Sequence, residues 1–483
     1  MTLQQRKRVV IVGGGITGLA AARQLRQHNA DVDLTLIESA DELGGKIRTQ
    51  RADGFVIEGG PDSFLSYKPR GLGLCRELGL ESRLHGTSGK VRRTYIMRGR
   101  KLHQLPEGLT GLIPSRFGPM LKNPLISPFG KLRMGLEYLI PPRMTDEDES
   151  LQSFVSRRLG REVYERMIEP LMSGIYAGDG AQLSLAATFP NLRKAELDYG
   201  GLIKSMLAAR SKPTPKATQP AKRWPAFLTL QSGLAEITEK IAAELNDVDV
   251  RLCTRVTSVK RIPWQTGYEV AIAGDNPVTV DAVILATPAF VTAELIGSLD
   301  AQAAAALRQI PYASTATVSV VYPLSQVPVP LDAHGYIVPR SEGRPVLACT
   351  WTSTKFPHRA PEGFALIRAF IGRAGQEDVL NRTDDELIQM VRDELRSVLG
   401  ITAPPQMHYV FRWPMAMPQY TLGHLERVSA IESCSEALPG LFFAGAAYRG
   451  IGIPDCIASG EKTATQALAY TQTHPTAQAE HTA

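Results

Sequence analysis

Three glycines, one glutamate and a second glycine pair set out the chemistry that the first fifty residues can support. Gly13, Gly15 and Gly18 stand in GxGxxG spacing, with Ile16 and Thr17 inside the motif, directly after the β-branched run at 9–12. Gly13 permits a tight turn, Gly15 lets the main chain approach a pyrophosphate, and Gly18 lets the following helix close on the strand. Glu38 falls 20 residues after Gly18, at the end of the second apolar run, where its carboxylate suits both ribose hydroxyls of an adenosine. Gly44 and Gly45, followed by Lys46 and Arg48, offer a second backbone approach and two cations to a phosphate chain. Nicotinamide sites do not usually need that second segment. No acid–base triad accompanies these residues, so the chemistry they imply is that of a bound dinucleotide.

More than four hundred residues later, LFFAGAAYRGIGIPDCIASG reads as strand, glycine-rich turn and helix start. Gly445 ends the strand, Gly452 and Ile453 lead into the helix, and Pro454 suits its first position. A helix start carries a positive electrostatic end, which favours an anion or an electron-rich carbonyl set against it. A capped helix with glycines for a tight turn is the plainer alternative.

These residues need a scaffold in which distant segments meet. The spacing predicts a strand, a helix at 16–25, and a second strand ending at Glu38. The amphipathic run SGLAEITEKIAAEL, strands in DVRLCTRVTSVKRI and GYEVAIAG, and the strand VTVDAVILATP then resume the same fold. The fold class is therefore α/β, with a Rossmann-type domain assembled from residues 1–86, 225–300 and 435–475. Residues 87–224 read as a helical, basic insertion: Thr87 to Arg143 hold 11 Lys or Arg against two acids, and ARSKPTPKATQPAKRW reads as a loop. DEDES sets acids at a helix start, ahead of helical patterns in LQSFVSRRLG and EVYERMIEPLMSGI. Residues 301–434 read as a mixed-sheet domain that walls a substrate pocket, with RTDDELIQMVRDELRSVLG as a helix lying on the sheet.

Composition bounds the function class. The 483 residues suggest two or three domains, and 43% hydrophobic with 21% charged is ordinary for a globular protein. No apolar run reaches a membrane span; the best, AVILATPAFVTAELIG, carries Pro288 and Glu294. The basic start and apolar run imitate an export signal, but cleavage after Ala22 would remove the phosphate loop. Five scattered cysteines without CxxC spacing indicate reduced thiols in the cytoplasm, and the nine histidines show no metal spacing. The basic excess argues for an anionic partner, a lipid head group or a polycarboxylate; no recognition module accompanies it, which excludes nucleic acid.

The fingerprint, Glu38 and the double-glycine run together resemble the flavin amine oxidase and protoporphyrinogen oxidase superfamily. GGPDSF, GIYAGD, TWTSTKFPHRAPEG, MPQYTLGH and GIGIPDCIASG extend the likeness over nearly the whole chain, nearest to the soluble bacterial coproporphyrinogen III oxidases. The resemblance implies noncovalent FAD, with Val256 touching the adenine by main chain near the Ala286–Thr287–Pro288 turn. It sets Gly60, Pro61, Asp62 and Ser63 beside the flavin, Trp413 near it, and the closing helix over its pyrimidine side, where charge develops on reduction. Lys68, Ile175 and Phe370 fall around the substrate; Phe370 stands where relatives often carry tyrosine, and Lys68 reads equally as a surface lysine. The implied reaction is six-electron oxidation of coproporphyrinogen III to coproporphyrin III in heme biosynthesis, with dioxygen reduced to hydrogen peroxide and no protein acid or base assigned. Protoporphyrinogen oxidation, another oxidase activity of the superfamily, and non-catalytic tetrapyrrole carriage remain as alternatives. Ferrochelatase enters as a transient partner, and the basic face as a peripheral membrane contact.

Overall fold

A computed structural model describes residues 6–28, 32–91, 93–106, 109–110, 113–114, 118, 120, 123–211 and 224–474. The loop read at Ala209–Trp224 lies almost wholly outside these described residues, as does part of the basic stretch before it.

The first sheet has five parallel strands in the order Asp249–Arg251, Val32–Ile37, Lys7–Val12, Ala282–Leu285, Leu441–Phe443. Its strands come from all three expected segments of the chain. Alternation along Lys7–Val12 sends Val9 and Ile11 to one core and Val10 and Val12 to the other, as a strand buried on both faces requires. The first core takes the helices Ile16–His28, Ala235–Glu244 and Ile453–Thr473. The second takes the antiparallel strands Val256–Arg261, Tyr268–Ile272 and Val278–Val280. DVRLCTRVTSVKRI thus splits between two sheets. The break falls at Cys253, whose φ of 50° turns the chain out of the parallel sheet.

The mixed sheet has seven strands, in the order Met407–Pro418, Tyr312–Pro323, Phe364–Ile371, Val346–Trp351, Gly335–Ile337, Tyr95–Arg98, Lys101–Gln104. Gly335–Ile337 runs parallel to Tyr95–Arg98; the other described pairs are antiparallel. Residues 95–104, inside the stretch read as helical, are therefore strands of this sheet, because Ile96 and Met97 are apolar enough to bury beside it. One face is covered by the helix Asp384–Leu399, started by a capping box between Thr383 and Glu386 and ended at Gly400. The opposite face turns toward the parallel-sheet domain.

The helices of the middle segment, among them Leu151–Leu159, Glu169–Tyr176 and Pro190–Tyr199, gather around Phe154, Met167 and Met172. Buried Glu137 accepts from Arg158 Nε at 2.7 Å, and Glu196 from Arg157 Nη1 at 2.7 Å, which ties these helices together. The acids of DEDES precede the helix rather than occupy its first turn. Ser150 is the cap, accepting from Ser153 N–H at 3.1 Å, while Glu149 bonds Arg157 Nη2 at 2.8 Å.

Candidate functional site

The first-strand loop has the geometry its glycines demand. Gly13 sits at φ 106°, and a Cβ on Gly18 would lie 1.9 Å from Gly13 O, so only glycine lets helix and strand close. At Gly15 a Cβ would meet nothing within 4 Å, which leaves open space where a pyrophosphate approaches the main chain. Ile16 and Thr17 open the helix behind it. Glu38 accepts from Gly14 N–H at 2.6 Å and Ala40 N–H at 2.8 Å, so its carboxylate is held at the loop edge. Cys253 N–H and Thr254 N–H bond Ala40 O and Glu38 O, each at 2.9 Å, which brings the start of the Val256 strand to the same edge.

Gly44 and Gly45 dock on this loop: Gly44 N–H bonds Gly14 O at 2.9 Å, and a Cβ on Gly45 would stand 3.2 Å from Gly15 Cα. The cations that follow are engaged elsewhere. Arg48 pairs with Glu42 at 2.6 Å, and the Lys46 ammonium donates to Ala416 O. Lys46 lies deep in the molecule yet stays accessible, and burial draws its ammonium below the ordinary lysine range. These glycines and Glu38 have the shape and donors to fit an adenosine and pyrophosphate.

The segment Gly59–Ser63 forms the next wall. Gly59 O accepts from Thr317 Oγ1 at 2.9 Å, Trp413 Nε1 at 2.8 Å and Arg368 Nη2 at 3.0 Å, and Gly60 O accepts from Arg368 as well. Trp413 therefore lies against Gly60, and Arg368 binds the substrate sheet to the turn. Pro61 leads to Asp62, which pairs with Lys355 at 2.7 Å and accepts from Ser63 Oγ at 2.6 Å. Burial opposes the charge on Asp62, but Lys355 and Arg368 outweigh it and hold its carboxyl well below the usual carboxylate range. Phe370 lies two residues beyond Arg368 on the same face, 4.6 Å from that guanidinium.

The closing helix spans Ile453–Thr473, and a Cβ on Gly460 would meet Thr17 O at 2.2 Å, so this helix packs hard against the first. Gly445 N–H bonds Ser459 Oγ at 3.0 Å. Tyr420 braces the intervening turn, donating to Ala446 O and accepting from Gly450 N–H, both at 2.7 Å. In the first helical turn Gly452 N–H goes to Asp455 Oδ2 at 3.2 Å, and Asp455 N–H and Cys456 N–H go to Gly452 O. Pro454 has no N–H, so Ile453 N–H is the first-turn donor with no acceptor among the described residues. The helix start also carries an acid, Asp455, and Lys68 pairs with it. Lys68 is thus a partner of the closing helix. Ile175 is 46% exposed on Glu169–Tyr176, whose end is tied to the same region by Gln419 Nε2 on Tyr176 O at 2.8 Å.

Arg368, Lys355, Asp455 and Tyr420 escaped the sequence reading. One arginine inside FALIRAFI was the available signal, since a charge in an otherwise apolar strand must face a partner. Near neutrality Cys456 and Tyr312 stay protonated, burial pushing them up to about 11 and about 12, and Asp62 stays ionised. None is poised to exchange a proton at pH 7. The five cysteines are unpaired, and among the described residues no helix is long and apolar enough to cross a membrane.

The family model for flavin-containing amine oxidoreductases matches residues 16–468. The chain is 38% identical to the coproporphyrinogen III oxidase of Bacillus subtilis, over 96% of this chain and 98% of that protein. It is 32% identical to protoporphyrinogen oxidase 1 of Arabidopsis thaliana chloroplasts, over 95% and 87%. A crystal structure from Exiguobacterium sp. 255-15 superposes with a TM-score of 0.85 at 32% identity, covering 97% of this chain and 100% of that one. Cyclohexylamine oxidase from Brevibacterium oxydans shares the fold, with a TM-score of 0.68 at 16% identity and coverage of 97% and 100%.

Proposed function

The chain belongs to the flavin-containing amine oxidoreductase family, and from that premise we propose that it binds FAD noncovalently and oxidises a porphyrinogen, coproporphyrinogen III ahead of protoporphyrinogen, in the cytoplasm. FAD, when bound, supplies a hydride acceptor that passes electron pairs on to dioxygen. Gly13, Gly15, Gly18, Gly44 and Gly45 would hold the pyrophosphate, and Glu38 the ribose. The turn from Gly60 to Ser63 and the Ile453 N–H would border the flavin ring, with Trp413 behind.

The protein's task in such a reaction is mostly orientation. A porphyrinogen carries saturated meso carbons, and the adjoining pyrrole nitrogen supports the cation left when hydride departs. Three such removals, each followed by loss of one proton to solvent and with isomerisation between them, yield the aromatic porphyrin. Phe370 offers a flat face to the macrocycle, and Arg368 keeps the sheet and the Gly59–Gly60 turn in register. Cys456, Tyr312 and Asp62 each keep one protonation state near neutrality, which suits a substrate that supplies its own driving density.

The observation that supports this reading is 38% identity to a coproporphyrinogen III oxidase in an alignment that spans 98% of that protein. Protoporphyrinogen is the second reading, favoured by the match to 87% of a protoporphyrinogen oxidase. Anaerobic mixing with each porphyrinogen tests both, following flavin bleaching and porphyrin fluorescence together. Rapid bleaching with coproporphyrinogen, and slower bleaching with protoporphyrinogen, is expected. The reverse order would support the second reading, and binding without bleaching would make the chain a tetrapyrrole carrier.

The basic stretch also presents an apolar stripe. Phe129, Leu132, Leu136 and Leu139 are 84%, 65%, 46% and 74% exposed on successive turns of 128–139, with Met144 beyond at 78%. We read it as the face that meets an anionic lipid surface.

A further inference from the structure

A small cavity of ≈ 10 Å³ lies between Arg359 and Arg368, bordered also by Glu58, Asp62, Ser319 and Thr352. Both arginines are nearly sealed from solvent, at 1% and 3% exposure. Each spends one amino group on protein acceptors. Arg359 Nη2 pairs with Glu58 Oε1 at 2.8 Å and donates to the Thr229 hydroxyl; Arg368 Nη2 holds the Gly59 and Gly60 carbonyls. Among the described residues no acceptor reaches Arg359 Nε or Nη1, nor Arg368 Nε or Nη1.

The neighbouring carboxylates are already committed. Glu58 Oε1 also accepts from Leu234 N–H at 2.8 Å and Oε2 from Thr49 Oγ1 at 2.6 Å, while Asp62 serves Ser63 and Lys355. Among the described residues Arg359 and Lys355 pair with Glu58 and Asp62 while Arg368 has no carboxylate of its own, so three cations in the cluster meet two carboxylates and one positive charge is in excess. An excess charge and unmatched donors in a buried site are both unfavourable. The cavity has room for one water-sized occupant. A water would accept at most two of the N–H groups and leave the charge unbalanced. A spherical anion accepts from several directions and cancels it.

We propose that the space between Arg359 and Arg368 binds one monovalent anion of halide size, which bridges the two guanidinium groups. Because Arg368 grips the Gly59–Gly60 carbonyls, the anion braces the turn against the substrate sheet. The proposal stands on these residues alone, whatever the substrate.

The test uses purified holoprotein with bromide in place of chloride. Diffraction at the bromine edge is expected to show one anomalous peak between the two guanidinium groups. At constant ionic strength the unfolding midpoint is expected to rise with halide concentration and not with gluconate, which is too bulky to enter. Arg359→Lys keeps a charge for Glu58 but loses donors, and is expected to abolish the halide response. Should that variant fail to fold, the wild-type peak and midpoint decide alone. No anomalous peak at the site, or a peak with a midpoint indifferent to halide (an adventitious ion only), would overturn the proposal.

Discussion

Alanine at Gly15 and alanine at Gly18, three residues apart in one motif, should fail in different ways. A Cβ at Gly18 starts 1.9 Å from Gly13 O and must reach 3.4 Å for ordinary contact. The atom in its way is backbone of the turn that directly follows a strand paired on both sides. Overpacking of that kind costs about 3 kcal/mol or more, from which about 1 kcal/mol is regained because alanine is the better helix former. A net loss of about 2 kcal/mol or more follows for Gly18→Ala, with or without cofactor. At Gly15 an added Cβ meets nothing within 4 Å, so the apoprotein should stay within about 0.5 kcal/mol of wild type. The added methyl occupies the approach of the pyrophosphate, and FAD affinity should fall at least tenfold, about 1.4 kcal/mol. The assay is denaturant unfolding of the two apoproteins beside flavin titration of each. Equal apoprotein stabilities, or wild-type FAD affinity in Gly15→Ala, would refute the assignment of these glycines.

Three further outcomes are expected. His424 is fully buried, stacks on Tyr420 at 3.9 Å and bonds Tyr448 O through Nε2. Burial above all, with Arg427 and Arg449 against Asp148, lowers it from 6.5 to about 4. Its folded value lies below its unfolded one, so its contribution is complete above pH 6.5 and is lost as pH falls toward 4. That loss amounts to at most about 3 kcal/mol, and unfolding of His424→Asn should show a shallower acid slope over that window; an unchanged slope would exclude His424 as its source. Lys68→Ala should weaken the protein by at most about 1 kcal/mol, since the pair is partly exposed, and Asp455→Asn added to it should restore the unfolding midpoint; a selective rise in KM for the tetracarboxylate, unrescued by Asp455→Asn, would instead make Lys68 a substrate contact. Phe129→Ser with Leu139→Ser should reduce cosedimentation with anionic vesicles and leave turnover of dissolved substrate unchanged; undiminished binding would remove the apolar stripe from the lipid reading.

What could be read in advance follows from the range of each interaction. The glycines at 13, 15, 18, 44 and 45 answer local backbone demands, so spacing alone reveals them. Glu38 follows from the length of one strand–helix–strand unit. Charges were another matter: Lys46, Arg48 and Lys68 counted as free cations until the fold set Ala416, Glu42 and Asp455 against them. Those partners lie up to 387 residues away in the chain, beyond any periodicity. Residues 95–104 join the mixed sheet through a parallel pairing with Gly335–Ile337, a partnership no local pattern in either segment announces.

The order of the parallel sheet bears on how the chain is made. Strand Lys7–Val12 lies between Val32–Ile37, which leaves the ribosome early, and Ala282–Leu285, which emerges after most of the chain. The helix that packs Gly460 on Thr17 comes later still. For most of synthesis the nucleotide loop therefore has no lid, and the apolar flank of the first helix, Leu19, Ala20 and Leu25, lacks its final cover. The proposed flavin site is complete only once residues 441–473 have been made, and until then that flank stays open to non-native contacts. A stop codon ahead of Gly445 would remove both the closing turn and the helix that packs on Thr17.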